Sequence, residues 1–237
     1  MTYQRVLLKL SGEALGAPDT GHGIDPTMVR DLAAQILRVT QSGTQVAIVC
    51  GGGNILRGAE FSELGAERAS ADYMGMLGTI INALALSDGL EQVGLETRVM
   101  SALEVRSVAE PYVRRRAMRH MSKGRIVILA GGLGAPLFTT DTAAAQRAVE
   151  LNCEVLLKGT KVDGVYTADP KKDPTATRIE SLSYMKVLSE QLRVMDGTAV
   201  TMCMEHGLPV IVFDLFKKGN LELVVQGQSD LGTTIGS

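Results

Sequence analysis

Several things are scarce in this 237-residue chain, beginning with tryptophan, which is absent, and with aromatic residues at large, only 4% of the total. The single basic run, Arg114, Arg115, Arg116, Arg119 and His120, has no interleaved aromatic on which bases could stack. A positive balance is missing as well. The formal charge is −2, which argues against a protein whose main business is a polyanion such as DNA. The three cysteines, Cys50, Cys153 and Cys203, lie far apart in apolar surroundings without a C-x-x-C spacing. They read as buried free thiols in a reducing cytoplasm, not as a metal cluster or disulfide framework. His22, His120 and His206 are too scattered to share a site. No long apolar segment follows a positive charge, so no secretion signal or membrane span is expected. No repeat, low-complexity segment or long linker divides the chain, and residues 1–237 read as a single α/β domain.

Short apolar runs ending in glycine are abundant. Val6-Leu7-Leu8-Lys9-Leu10 closes on Ser11-Gly12, and Gln45 to Cys50 runs into Gly51-Gly52-Gly53-Asn54. Arg125 to Ala130 is followed by Gly131-Gly132-Leu133-Gly134, and Val155 to Leu157 by Lys158-Gly159-Thr160-Lys161. Nearly continuous apolar runs are the pattern of strands buried on both faces of a parallel sheet, and ligands bind at the carboxyl ends of such strands. Further strands are expected at Thr97–Met100, Pro209–Phe213 and Gly232–Ile235, and helices after Asp25-Pro26, over Ser70–Gln92, through the basic run, after Thr140 or Asp141 as cap, around Val187–Leu192 and over Ala199–His206. On the Ser70–Gln92 helix, Tyr73, Leu77, Ile80, Ile81 and Leu84 have buried spacing, and Gly75 and Gly78 invite close backbone packing. Such a helix suits either a core or a subunit interface.

The glycine turn at Gly51 satisfies neither common phosphate motif, since Leu56 replaces the last glycine of G-x-G-x-x-G and Ala59-Glu60 replaces the Lys-Ser/Thr of the P-loop. Arg57 strengthens the case for phosphate because its planar fork suits that anion. Lys9 is the odd residue of its strand and needs an anionic partner or a place at the strand mouth; a snorkelling lysine is the plainer alternative. Asp72 reads as a first-turn acid complementing its helix dipole. The basic helix is open between a solvated face and an anionic-effector site. Lys161 is open between a second phosphate-neutralising lysine and a solvated loop charge.

Four motifs in register, Lys9-Leu10-Ser11-Gly12-Glu13, Gly51-Gly52-Gly53-Asn54 with Arg57-Gly58, Phe138-Thr139-Thr140-Asp141, and Thr160-Lys161-Val162-Asp163-Gly164-Val165-Tyr166 with Asp169-Pro170, resemble the amino acid kinase family in its bacterial UMP kinase branch over essentially the whole chain. The resemblance implies an open, mainly parallel β-sheet sandwiched between helices. It also implies transfer of the γ-phosphoryl of ATP to UMP with Mg²⁺, a cytoplasmic role in pyrimidine nucleotide synthesis, and a homohexamer under GTP and UTP control. Carried over, Lys9, Leu10, Ser11, Gly12, Gly53 and Arg57 hold the ATP phosphates, and Thr160, Tyr166 and Asp169 hold its nucleoside end. Gly52, Asp72, Leu133, Gly134, Ala135, Pro136, Leu137, Phe138, Thr139 and Thr140 hold UMP, with Asp72 accepting from the ribose hydroxyls. Asp141 and Asp196 organise the lysine and the metal, with no metal ligand assigned between them, and Asp88, Arg98 and Arg125 resemble an intersubunit effector site. Ala135 and Leu137 depart from the Gly-Asn-Pro-Phe-Phe of many members, so backbone donors replace an Asn side chain there. The competing readings are phosphoryl transfer to carbamate or an amino-acid carboxylate, and a nucleotide-binding protein without turnover.

Overall fold

The computed structural model describes residues 2–57, 61, 65–168, 172–173, 175–192, 194–228 and 230–237. Its core is a nine-stranded sheet. In chain order the strands are β1 (Arg5–Leu10), β2 (Gln45–Cys50), β3 (Thr97–Ser101), β4 (Glu110–Pro111), β5 (Ile126–Ala130), β6 (Val155–Thr160), β9 (Ser181–Ser183), β10 (Val210–Asp214) and β11 (Gly232–Gly236), with β7 (Val165–Tyr166) and β8 (Arg178–Ile179) forming a separate antiparallel pair. The spatial order is β4-β3-β5-β2-β1-β6-β10-β11-β9, and every neighbouring pair is parallel except β10 with β11.

Alternation along the strands feeds two cores. Val6, Leu8 and Leu10 face one layer, formed by α1 (Pro26–Gln41), α2 (Arg68–Gln92) and α7 (Asn220–Val225). Leu7, Leu156 and Val212 face the other, formed by α3 (Arg114–Ser122), α4 (Thr140–Glu150), α5 (Tyr184–Ser189) and α6 (Gly197–Glu205). Period-2 geometry therefore sends Lys9 and Lys158 toward the α4 layer. The helices start where local chemistry predicts: Asp25 accepts from the Thr27 and Met28 amides with Pro26 at the first position of α1. For α4 the cap is Thr139, not Thr140 or Asp141, because its Oγ1 accepts from the amides of both Asp141 and Thr142. Leu192 lies beyond the end of α5.

α2 departs furthest from expectation. It begins at Arg68, so Asp72 stands a full turn inside it and not in the first turn. Ile80 is buried, but Tyr73, Leu77, Ile81 and Leu84 are exposed, Leu77 by 48%, while Met76, Ala83, Leu86 and Leu90 fill the core instead. The helix is apolar nearly all round, so sequence spacing alone does not single out the core-facing stripe. Gly78 meets the expectation of close packing, since a Cβ there would lie 3.3 Å from the Gly52 carbonyl oxygen, whereas one on Gly75 would meet nothing. All three thiols are buried, and burial pushes those of Cys50, Cys153 and Cys203 up to about 12.

Candidate active site

From β1 the chain moves outward to β2 and on toward β4, then returns on the other side of β1 as β6. That reversal makes the crevice beyond the carboxyl ends of β1 and β6 the topological switch point, where open α/β sheets bind ligands. Lys9 and Lys158 are register partners across these two strands. Two ammonium groups side by side in a largely buried layer repel, and an acid between them relieves this. Asp141, in the first turn of α4, supplies it. Its Oδ1 lies 2.9 Å from Lys9 Nζ and its Oδ2 2.6 Å from Lys158 Nζ. The Lys9 approach is off the hydrogen-bond axis, so Oδ1 is neutralised without a well-aligned hydrogen bond. Burial alone would raise the Asp141 carboxyl, but Lys9 and Lys158 hold it below the ordinary aspartate range. Burial, opposed by Asp141 and reinforced by Lys9, lowers the Lys158 ammonium. Lys158 also donates to the Val194 carbonyl. The sequence reading passed over Lys158 as the end of an apolar strand. The available signal was that Lys9 interrupts one apolar run and Lys158 closes another.

Asp196 caps α6, accepting from the Ala199 amide at 2.9 Å, from the hydroxyl of Thr142 at 3.0 Å and from that of Thr139. The carboxylate thus joins the starts of α4 and α6. It supports the centre without touching either lysine through a hydrogen bond.

On one side of the centre lies a cleft of about 340 Å³, lined among others by Gly52, Arg57, Asp72, Thr79, Phe138 and Thr140. The predicted acceptor residues Gly52, Asp72, Leu133, Ala135, Phe138, Thr139 and Thr140 all line it, whereas Gly134, Pro136 and Leu137 do not. Leu137 is 69% exposed, holds a left-handed φ of 72°, and contributes its amide, which donates to Asp72 Oδ2 at 2.9 Å. The other Asp72 oxygen takes Arg68 at 2.9 Å, a lining cation that sequence reasoning missed. The glycine turn is held from below by two buried amides. Asn54 and Asn82 donate to each other's Oδ1, at 3.0 and 2.6 Å, while Asn54 also donates to the Gly23 carbonyl and Asn82 to that of Gly51. Close approach explains two glycines: a Cβ on Gly12 would fall 2.2 Å from Asn54 Oδ1, and one on Gly52 would fall 2.5 Å from the Gly75 carbonyl oxygen.

On the other side, a cleft of about 530 Å³ is lined by Lys158, Thr160, Val162, Tyr166, Val194 and Val212, among others. Thr160 and Tyr166 are therefore together as expected, the Tyr166 hydroxyl donating to Asp163 at 2.7 Å. Asp169 lies outside the described residues. Leu10, Ser11 and Gly12 line neither cleft; they follow Lys9 out of β1, and the Gly51 amide donates to the Leu10 carbonyl. Gly53 and Arg57, expected on the donor phosphates, line the first cleft, the one with Gly52 and Asp72.

At the far edge of the sheet, Glu110 gathers Arg98 at 3.8 Å, Arg116 at 3.6 Å and His120 at 3.3 Å, and Arg125 follows at 3.3 Å from the His120 ring. Arg98 and Arg125 are thus in one cluster. Asp88 is exposed and accepts from Gln92.

The model of the amino acid kinase family matches residues 4–214. Among solved structures, the UMP kinase of Bacillus anthracis is 41% identical with a TM-score of 0.95, covering 100% of this chain and 97% of that one. The UMP kinase of Ureaplasma parvum is 36% identical (TM-score 0.92) and the uridylate kinase of Archaeoglobus fulgidus 27% identical (TM-score 0.71), each covering 100% of both chains. With the match spanning the sheet, the glycine turns and the Lys9–Asp141–Lys158 centre, the chain belongs to the amino acid kinase family.

Proposed function

We propose that this chain is a UMP kinase that transfers the γ-phosphoryl of ATP to UMP, giving UDP and ADP. The observation that carries the reading is the pairing of two clefts across one buried cationic centre, Lys9 and Lys158 bridged by Asp141. Kinship with the bacterial UMP kinases supports the acceptor.

Phosphoryl transfer asks little covalent chemistry of a protein and much positioning and charge neutralisation. Lys9 and Lys158 face the oxygens of the transferred group, and Asp141 keeps both ammoniums in place. Backbone N–H groups of the Gly12 and Gly52–Gly53 turns add donors that need no reorganisation. Asp72 accepts from the acceptor ribose, exchanging the Leu137 amide for a hydroxyl, while Thr139 and Thr140 at the start of α4 hold the acceptor phosphate. Thr160, Tyr166 and Asp169 hold the donor nucleoside. Asp196 keeps the starts of α4 and α6 together beneath the reacting groups.

Mg²⁺, when bound with the donor, would supply charge neutralisation on its phosphates, and Asp141 and Asp196 are the acids that would face it. Among the described residues no group of three His, Cys, Asp or Glu could hold a metal. That donor set suits a cation carried mainly by phosphate oxygens and water, with Asp141 and Asp196 as the acids at the centre.

The reading extends to residues 1–237 acting as one kinase domain, its N-terminal part mainly serving UMP and its C-terminal part ATP, in cytoplasmic pyrimidine nucleotide synthesis. No described helix is long and apolar enough to cross a membrane. The exposed apolar stripe of α2, with Tyr73, Met74, Leu77, Ile81 and Leu84, supports the homohexamer. The arginine cluster around Glu110 supports an anionic effector such as GTP or UTP near Arg98 and Arg125, with Asp88 on the adjoining end of α2.

The test is ADP release from Mg-ATP with UMP, CMP, carbamate, acetylglutamate and aspartate offered separately. UMP alone is expected to support rapid turnover, and no release with UMP overturns the reading. Light scattering at micromolar concentration checks the assembly, a monomer removing the hexamer.

A further inference from the structure

Glu13 has no part in the chemistry above, yet it stands where the donor phosphates are expected. It lies in the 3₁₀ turn Gly12–Ala14, directly after the glycine that ends the Lys9–Gly12 run. One of its carboxylate oxygens is ion-paired with Arg57, from the turn after β2. The other lies 3.7 Å from Lys161 Nζ, from the loop after β6. β2, β1 and β6 are neighbours in the sheet, so one acid on the middle strand's turn ties cations from both flanking turns across the crevice.

The surroundings fix this arrangement from two further sides. Lys161 Nζ lies 6.0 Å from the centre of the Phe216 ring, within cation–π range, which holds the ammonium toward Glu13. Behind Glu13, Gly21 has a φ of +70°, and a Cβ there would lie 3.2 Å from Glu13 Cγ, so the loop backbone abuts the acid. All three side chains are about a third or more exposed. Ion pairs this exposed are weak, and a polyphosphate carries several times the charge of one carboxylate.

We propose that Glu13 is an internal competitor of the donor's phosphate chain: the carboxylate and the phosphates contend for Arg57 and Lys161, which makes Lys161 a phosphate-binding residue. This rests on the reading that the crevice receives a nucleoside triphosphate. It decides the role of Lys161, whose closeness to Glu13 brings it within reach of the Gly12 turn.

Inorganic tripolyphosphate is the probe, because it isolates the phosphates from base and ribose, and adenosine is the control. By calorimetry, Glu13→Gln is expected to bind tripolyphosphate at least about threefold tighter than the unmodified protein, with adenosine affinity unchanged. Lys161→Met is expected to weaken tripolyphosphate binding by at least about threefold. In the Lys161→Met background the gain from Glu13→Gln shrinks, a coupling that a merely structural Glu13 would not produce. Equal or weaker binding by Glu13→Gln, unchanged binding by Lys161→Met, full additivity of the two, or no tripolyphosphate binding by any form overturns the proposal. ADP release from Mg-ATP and UMP by the unmodified protein judges the parent reading separately, since the phosphate titration requires no turnover.

Discussion

Two clusters of opposite charge sit at different places on the same sheet, and they differ mainly in water. At the centre, Asp141 is enclosed between Lys9 and Lys158, with side chains only 12–14% exposed. At the edge, Glu110 faces Arg98, Arg116 and His120 with side chains exposed by up to about half. The edge cluster has more cations, and charge counting would rank it first. Physics ranks the centre first, because a charge that cannot be screened must be matched group by group, whereas solvent tolerates nearly any arrangement at the edge.

The sharpest way to break this contrast is Asp141→Asn. Two buried ammoniums then face each other uncompensated, and the expected loss is about 3–5 kcal/mol of folding stability in denaturant unfolding. Turnover with UMP and Mg-ATP is expected to fall at least about a hundredfold in the same variant. Near wild-type behaviour would mean that the centre is no more demanding than the edge.

Next in size are the lysines themselves. Lys9→Ala and Lys158→Met are each expected to lower kcat at least about tenfold, or about 1.4 kcal/mol in the barrier. A changed KM with kcat intact would assign them to substrate binding alone.

The third comparison uses pH. Because the Lys158 ammonium is depressed below the ordinary 10.5, kcat is expected to fall on an alkaline limb below that value, and Lys158→Arg should move the limb upward. The stability effect has the opposite sense. Between the folded and unfolded values the unfolded chain binds more protons, so the Lys158 contribution rises as the pH climbs through that window. Asp141, depressed below 3.8, contributes stability that is fully present above its unfolded value and lost as the pH falls through the folded one. Arg116→Ala should leave both limbs in place.

Asn82→Ala removes a buried amide with no net charge at all. It leaves Asn54 and the Gly51 carbonyl short of partners, and a loss of about 1–3 kcal/mol is expected in thermal or denaturant unfolding. Smallest of all, Arg116→Ala at the edge should change stability by less than about 1 kcal/mol, with the difference shrinking further in high salt.

The same distinction explains what was readable in the sequence. Strands such as Val6–Leu10 and Ile126–Ala130 were legible because burial on both faces leaves a nearly continuous apolar run, broken in the first only by Lys9, and the glycine turns because close backbone approach admits nothing larger. The cleft beside α2 was largely legible through its motifs, with Gly52, Asp72 and Thr140 lining it together. Lys158 was not, since its significance depends on register with Lys9, a relation between residues 149 positions apart. Asn82 escaped for the same reason: its partner Asn54 lies in another element. The core face of α2 could not be chosen because Tyr73, Leu77, Ile81 and Leu84 are as apolar as the residues that are buried, and what faces solvent is set by tertiary packing.

The lysine–aspartate–lysine bridge also limits how this enzyme can be redesigned. Replacing Asp141 alone leaves two unmatched ammoniums in a site with little water, at a cost that is a large share of a domain's typical 5–15 kcal/mol margin, whereas removing one lysine leaves a matched pair. Single-step routes that begin at residue 141 therefore lead out of the fold's working range before a new chemistry is reached. A library built to change the reaction should vary residues 9, 141 and 158 jointly, as one letter of the protein's alphabet.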